Sequence, residues 1–222
     1  MGDDNRADME QAHSPLDPGD VTVVVAMGVE ARPFRRLTPQ LRLVRAGIGL
    51  ATLDQRMLNT QVVLSVGLSG GLPEDVASGT VVIPSQVARE DGVLVACDAA
   101  WSAALVAASR RLGYPTSTAP LLSADALVTH AGRGLWAARG FAAVDMETAM
   151  LAGMLARVAA VRVVLDTPSQ EISPAWVSPA RAALDPRNWS EGWWLLRTAP
   201  RFARRAALVV QAALTAGATA QT

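Results

Sequence analysis

The segment VLSVGLSGGL, from Val63 to Leu72, begins as a buried β-strand and opens into a run of glycines. Short β-branched runs like its first half recur along the chain and alternate with longer stretches rich in Ala and Leu, which favour helices. This alternation predicts an α/β fold, a three-layer α/β/α single domain with a central mixed, largely parallel sheet. Ligands of such folds bind at the carboxyl ends of strands, so the residues that follow each strand are the first candidates for function.

The predicted strands share short runs of apolar and β-branched residues, and they are Val21 to Ala26, Leu41 to Ala46, Val62 to Val66, Thr80 to Pro84, Val93 to Ala96, Ala142 to Asp145 and Val161 to Leu165. The predicted helices share helix-forming residues, and they are Leu50 to Asn59, Ala99 to Leu112, Arg133 to Arg139, Glu147 to Ala156 and about Arg201 to Ala213. Residues 1–20 hold six acids and one Arg and predict a disordered acidic leader. Residues 21–216 are predicted to form the domain, including a helical tail rich in Trp and Arg from about residue 187.

The basic residues, cysteines and histidines narrow the chemistry. All 20 basic side chains are Arg, so Schiff-base chemistry on Lys and a Walker-type phosphate site are excluded. Cys97 is the only cysteine, and His13 and His130 are the only histidines. An internal disulfide, a Cys-based zinc cage and a multi-histidine metal site are therefore excluded, and we predict no metal.

The charge balance and the hydropathy pattern bear on partners and location. The 20 acids equal the 20 basic residues, so no chain-wide charge attracts nucleic acid, and we predict no nucleic-acid partner. Apolar runs stay shorter than the roughly 18 to 20 residues of a spanning helix, and the N-terminus lacks the pattern of a signal peptide. These features predict a cytoplasmic protein.

Three strands are followed by acids at positions where a ligand would bind. Glu30 comes four residues after Ala26, and Glu147 follows the strand that ends at Asp145. Asp166 ends an apolar strand, so burial should raise its pKa and suit it to donate a proton. The alternatives are that the first two are solvated acids at helix starts and that Asp166 caps the Pro-containing loop after it.

The glycines of the opening segment allow two further interpretations. Gly67, Gly70 and Gly71 would let backbone N–H groups approach a ligand, or they would only form the turn. The same residues fit G-x-S-x-G with Ser69 as a nucleophile, but that motif needs a strand, a sharp turn and then a helix. Here another predicted strand follows, and His130 is the only downstream histidine, so a serine hydrolase is disfavoured.

Five segments, taken in order, resemble motifs of the nucleoside phosphorylase/nucleosidase superfamily, which includes the methylthioadenosine/S-adenosylhomocysteine nucleosidases. The segments are AMGVE, GLSGGL, SADALV, VDMETA and VRVVLD, and they lie between Val21 and Pro168. The resemblance implies that Glu30 activates water and Asp166 protonates purine N7. It further implies that Glu147 binds the ribose hydroxyls and Met146 packs against the sugar. Leu127 and Val128 would border the base, and the run Gly67, Leu68, Ser69, Gly70, Gly71 would lie near the sugar or a phosphate.

The tail, with the pattern W-x-x-x-W-W-L-L, and the segment GGLPEDVASGTVVIP are similar to the hopanoid-associated branch of that superfamily. This resemblance implies removal of adenine from adenosylhopane to give ribosylhopane. It implies no cofactor, with inorganic phosphate as co-substrate only if the reaction is phosphorolysis. We favour hydrolysis, because Leu68 replaces an often polar turn residue and only Arg32 and Arg45 are candidates to compensate; Leu165 also replaces a polar neighbour of the acid.

The tail also predicts contact with the inner membrane. An interfacial surface is expected from Trp193, Trp194 and Phe202 beside the arginines at 197, 201, 204 and 205; the alternative is a terminal helix packed on the domain. The resemblance further implies a homo-oligomer. Alternative substrates are methylthioadenosine, S-adenosylhomocysteine and futalosine, and alternative functions are a purine nucleoside phosphorylase and a nucleoside-binding protein that lacks catalysis.

Overall fold

The computed structural model describes residues 18–58, 60–155, 157–177, 182 and 184–219. Its strands are β1 Val21–Val25, β2 Arg42–Arg45, β3 Val62–Gly71, β4 Val81–Val82, β5 Gln86–Ala88, β6 Leu94–Ala96, β7 Thr116–Ser117, β8 Leu121–Ser123, β9 Ala143–Asp145 and β10 Val158–Asp166. Its helices are α1 Gly28–Leu37, α2 Ala99–Arg111, α3 His130–Ala138, α4 Thr148–Met154 and α5 Trp189–Thr219. Most of the predicted acidic leader, residues 1–17, lies outside the described residues.

The strands form one mixed sheet around β3 and β10. The order is β6-β5-β8-β9-β3-β10-β4-β7, and β1 pairs with both β2 and the first half of β3. Pairing is parallel except between β10 and β4, β3 and β9, and β5 and β6. This topology confirms the predicted mixed, largely parallel sheet.

Helices cover both faces of the sheet, which completes three layers. On one face Phe34 of α1, Trp101 of α2 and Val210 of α5 pack in one cluster with β1, β3 and β10. On the other face Leu151 of α4 packs against Val158 of β10. Because both faces are buried, β3 and β10 are apolar at nearly every position, as expected for central parallel strands.

The predicted helix from Leu50 to Asn59 is wrong. The chain there forms two short 3-10 turns, Ile48–Leu50 and Gln55–Leu58, although its residues are good helix formers. Gly49 adopts a φ of 62°, outside the range of a right-handed helix, and its N–H donates to Glu147. Leu50, the first residue of the predicted helix, also has a positive φ of 61°, which excludes a right-handed helix at its start.

Other local predictions also need correction. Helix α1 was not predicted, and strands β5, β7 and β8 are too short to show a hydrophobic period. Strand β3 continues through Gly71, so the predicted glycine turn is wrong. Ser69 therefore lies within a strand, where the strand–turn–helix geometry of a serine nucleophile is absent. The predicted tail helix is part of the longer α5.

Candidate active site

A cavity of about 170 Å³ lies where β1, β3 and β10 end, because parallel strands bring their carboxyl ends to one edge of the sheet. Nine of the eleven site residues predicted from the sequence line it: Glu30, Leu68, Ser69, Gly70, Leu127, Val128, Met146, Glu147 and Asp166. Gly67 and Gly71 do not line it. Motifs that are far apart along the chain therefore line the same cavity.

Glu30 lies in the first turn of α1 and is 2% exposed. Its Oε2 accepts from Met27 N at 2.8 Å, and its Oε1 accepts from Leu68 N at 2.9 Å. Burial raises its pKa above the ordinary value, while the positive charge of Arg162 opposes the rise. A buried carboxylate with a raised pKa has a higher proton affinity than an exposed one, so in its ionised form it is suited to accept a proton from water.

Gly67 makes room for this arrangement. A Cβ at position 67 would overlap Glu30 Oε1 and Arg162 Nη1. The glycine is therefore needed for the close approach of these two side chains.

Arg162 was missed by sequence reasoning, although it is buried in β10 at the centre of the site. Its Nη2 lies 2.7 Å from Asp145 Oδ2 and donates to Ser65 Oγ at 2.7 Å. A more distant partner is Glu147 Oε2, at 3.4 Å. The available signal was an Arg in the middle of the strand VAAVRVVLD, which is otherwise apolar up to its final Asp. A buried cation requires buried acids as partners. The earlier candidates Arg32 and Arg45 are exposed and do not line the cavity.

Glu147 is the N-cap residue of α4 and is 6% exposed. Its Oε1 accepts from Gly49 N at 3.0 Å, which ties the 3-10 turn to the site. Burial raises the pKa of Glu147 to about 7, with Arg162 opposing the rise. Met146, directly before it, also lines the cavity.

The raised pKa of Glu147 predicts a pH dependence of stability. Its ordinary pKa is 4.5 and its folded value is about 7, so between these limits the folded state holds the extra proton. The free energy of unfolding contributed by this group is therefore present below pH 4.5 and is lost as the pH rises through about 7. We expect Glu147→Gln to flatten this slope in denaturant unfolding between those pH values. Glu74→Gln, at an exposed acid, should keep the wild-type slope; equal slopes for both variants would contradict the prediction.

Asp166 ends β10 and is 5% exposed. It forms an ion pair with Arg133 of α3, through Oδ2, and Ile172 N donates to the same oxygen at 3.4 Å. Burial raises the pKa of Asp166, and the guanidinium of Arg133 limits the rise. Arg133 is the second site residue missed from the sequence, where nothing in the segment HAGRGLWAA distinguishes it from a surface Arg.

A second, apolar cavity of about 350 Å³ adjoins the first and shares part of its wall, including Leu68, Met146 and Asp166. Its outer wall comes from the loop after β10 and from α5: Ile172, Trp176, Gly192, Leu195, Leu196, Ala199 and Pro200. Among the described residues, Asp166 is the only charged one in its lining. The charged cavity is therefore continuous with an apolar space.

The predicted interfacial surface of the tail is partly wrong. Phe202 is 7% exposed and belongs to the core, and Trp194 is half-buried. Arg205 is turned inward, where its guanidinium lies 4.6 Å from the ring centre of Tyr114. Among the described side chains of α5, the large exposed apolar ones are Trp189 at 63%, Trp193 at 59% and Leu196 at 70%, and the exposed arginines are Arg197, Arg201 and Arg204.

In the part of the chain that the structure describes, no group of three His, Cys, Asp or Glu side chains is arranged to hold a metal ion. Among the same residues, no helix has the length and apolar character to cross a membrane. Cys97 is buried, and burial raises the pKa of its thiol to about 12, so it is not a nucleophile at neutral pH.

The described structure is a three-layer α/β/α fold that carries buried acids at the carboxyl edge of its sheet. Residues 22–176 match the family model described as the Phosphorylase superfamily, and the chain belongs to this family. It is accordingly a nucleosidase or a phosphorylase. The match ends before α5, so the helix that walls the apolar cavity lies outside it.

Solved structures of nucleosidases share this fold. A futalosine hydrolase mutant from Helicobacter pylori is 14% identical, with a TM-score of 0.68 over 88% of this chain and 98% of that one. The 5'-methylthioadenosine/S-adenosylhomocysteine nucleosidase from Neisseria meningitidis, in complex with methylthio-immucillin-A, is 20% identical, with a TM-score of 0.67 over 88% and 98%. These likenesses confirm the predicted fold. No protein with a curated description matches the sequence.

Proposed function

We propose that this enzyme cleaves the N-glycosidic bond of a purine nucleoside and transfers the sugar to water. The observation that carries the proposal is the placement of two buried acids with raised pKa values, Glu30 and Asp166, on the wall of one cavity. Asp166 gives its proton to purine N7 as the bond from N9 to C1' breaks and the electron pair stays with the base. Water attacks C1' and gives a proton to Glu30, while the Glu147 carboxylate accepts hydrogen bonds from the ribose hydroxyls.

The charge of the cavity favours water over phosphate as the acceptor. Its charged lining residues are four acids and two arginines: Glu30, Asp145, Glu147, Asp166, Arg133 and Arg162. Both arginines already contact acids, Arg162 with Asp145 and Glu147 and Arg133 with Asp166. A phosphate ion would therefore enter a site whose fixed cations are paired and whose acids would repel it.

The apolar cavity supports a nucleoside with a large hydrophobic group on its ribose, and we propose adenosylhopane as the substrate. A volume of about 350 Å³ is far more than a methylthio group needs and lies in the range, roughly 300 to 1,000 Å³, of cavities that bind whole ligands. Asp166, the one charged residue among the described residues that line it, also lines the first cavity. Methylthioadenosine, S-adenosylhomocysteine and futalosine remain the alternatives with a smaller or more polar group.

The outer face of α5 supports contact with a membrane. Trp189, Trp193 and Leu196 follow the i, i+4, i+7 spacing of one helix face, and exposed arginines continue that face toward the C-terminus. Leu196 also lines the apolar cavity, so the mouth of this cavity lies beside the exposed aromatic residues. We propose that this face lies on a bilayer with anionic headgroups, from which a lipid-linked nucleoside enters the cavity.

Substrate competition tests the lipid assignment. We expect adenine release from adenosylhopane, without phosphate and with free ribosylhopane as the product, at a higher kcat/KM than from methylthioadenosine. Ala199→Leu narrows the apolar cavity and should reduce kcat/KM for adenosylhopane more than for methylthioadenosine. Ala212→Leu, at another half-buried alanine of α5 outside the cavity, should change neither. Preferred turnover of the short thioether, or formation of ribose 1-phosphate, would contradict the assignment.

Contact with a membrane is tested in the same adenine-release assay with the substrate in lipid vesicles. When adenosylhopane is presented in vesicles that contain anionic lipid, Trp193→Ser should slow adenine release, whereas with substrate in detergent it should not. Leu94→Ser, at an exposed residue of the edge strand β6, is the matched control and should leave both rates unchanged. Equal rates for Trp193→Ser and wild type on vesicles would contradict membrane contact.

A further inference from the structure

Arg133 joins four parts of the site, although the proposed reaction does not use it. It lies in α3 and is 2% exposed. Besides its ion pair with Asp166, its Nη1 donates to Gly71 O at 2.8 Å and its Nε donates to Val128 O at 3.2 Å. The Nε also lies 3.1 Å from Glu171 Oε1, in the loop after β10. One guanidinium thus contacts Asp166, the end of β3, the segment proposed to border the base, and the loop after β10, which lines the apolar cavity.

The contacts orient the Asp166 carboxyl. Both Arg133 Nη2 and Ile172 N bond to Oδ2. The other oxygen, Oδ1, lies toward Gly70, a residue of the cavity wall, and a Cβ at that position would be 3.2 Å from it. Arg133 is itself held by Gly71 O and Val128 O, so its Nη2 and Ile172 N together fix the position of Oδ2, and Oδ1 is left directed to the cavity.

The ion pair between Arg133 and Asp166 also affects how readily Asp166 gives up its proton. After Asp166 has given its proton to the base, a buried carboxylate remains, and an isolated buried charge is strongly unfavourable. Arg133 stabilises this carboxylate and so makes the acid a better donor. Two of the charged groups near Asp166 are Arg133 of α3 and Glu171 of the loop after β10. The others line the same cavity and are Glu30, Asp145, Glu147 and Arg162. Arg133 is the one in direct contact with it among these.

Resting on the proposed function, we propose that Arg133 is a positioning residue that orients the general acid Asp166 and sets the pH range in which it donates. The wild-type kcat/KM for an adenine nucleoside falls as the pH rises through the pKa of Asp166, because the free enzyme must hold the proton. Removing an adjacent positive charge raises the pKa of a carboxyl by about one to three units. Loss of the charge should therefore move this fall of kcat/KM, the alkaline limb of the pH profile, to higher pH. It should also reduce kcat, because the acid becomes a weaker donor.

The test measures kcat/KM against pH for four variants, with methylthioadenosine and with adenosylhopane as substrates. Arg133→Met and Arg133→Gln should move the alkaline limb upward by about one to three pH units. Arg133→Gln keeps an N–H donor for the carbonyls and serves if Arg133→Met does not fold. Arg133→Lys keeps the charge, so its limb should stay at the wild-type pH while kcat falls with the lost fork geometry. Arg139→Met, at an exposed Arg that follows the same helix, should leave the profile unchanged.

Asp166→Asn, measured in parallel, separates this inference from the proposed function. If Asp166→Asn abolishes the alkaline limb while Arg133→Gln leaves it at the wild-type pH, the role of Arg133 is overturned and the proposed function stands. An equal shift for Arg133→Lys and Arg133→Gln overturns it too, since charge would then not be the cause. If Asp166→Asn keeps turnover and the limb, the proposed function itself fails.

Discussion

Glu30→Gln is expected to remove turnover while the protein still binds nucleoside. General-base help is worth about 10²–10⁴ in rate, and glutamine cannot take the proton of the attacking water. The side chain keeps its shape, so the cavity and the contacts to ribose and base should persist. The measurement is adenine release by chromatography together with equilibrium binding of the unreacted nucleoside.

Glu30→Gln is also expected to reduce the stability of the folded protein, so its loss of turnover must be separated from unfolding. Glu30 accepts from two backbone N–H groups, Met27 N and Leu68 N, and glutamine has only one oxygen for them. One buried donor is then unpaired, at a cost of about 1–3 kcal/mol, so unfolding is measured alongside activity. Glu74→Gln makes the same chemical change at an exposed acid and should leave turnover intact. A folded Glu30→Gln protein that turns over like wild type would instead favour the nucleoside-binding protein without catalysis.

Asp166→Asn is expected to reduce adenine release by about 10²–10⁴, the usual contribution of a general acid. The loss should be much smaller for a riboside whose leaving group is a stable anion such as nitrophenolate. A purine anion leaves poorly without protonation of N7, whereas nitrophenolate needs no proton. The measurement is kcat/KM for both substrates with wild type and variant.

The comparison of leaving groups distinguishes chemistry from structure. Asparagine can still accept from Arg133 through its oxygen, so the ion pair becomes a hydrogen bond and the local contacts remain. Asp125→Asn, at an exposed Asp that pairs with Arg89, is the matched control and should change neither rate. Equal losses on the purine and nitrophenyl substrates would remove the general-acid role from Asp166.

The acids of the candidate site could be found from the sequence because each follows a short apolar run. Glu30, Glu147 and Asp166 come directly after or near strands that are recognisable by their β-branched residues, and parallel strands bring such positions to one edge. The fold class followed from the same local pattern. The structure brings these three acids to one cavity, as the order of the motifs predicts.

The arginines could not be found in this way, because their roles depend on contacts between distant parts of the chain. Arg162 bonds to Ser65, 97 residues away, and Arg133 bonds to Gly71, 62 residues away. The spacing of residues along the sequence contains no information about such pairs. The turn at Gly49, directly before the wrongly predicted helix, was missed for a similar reason, since its N–H bonds to Glu147, 98 residues away.

The sequence alone determined the alternation of strands and helices and the acids at strand ends, because periodicity and local propensity are properties of neighbouring residues. Only the tertiary structure decided which charges compensate those acids, where the apolar cavity lies and which face of α5 is exposed. Buried charges are stable only beside their partners, and the partners of Glu30 and Asp166 come from other elements of the fold. The same packing buries Phe202 and leaves Trp193 exposed, a difference that their shared aromatic character did not predict.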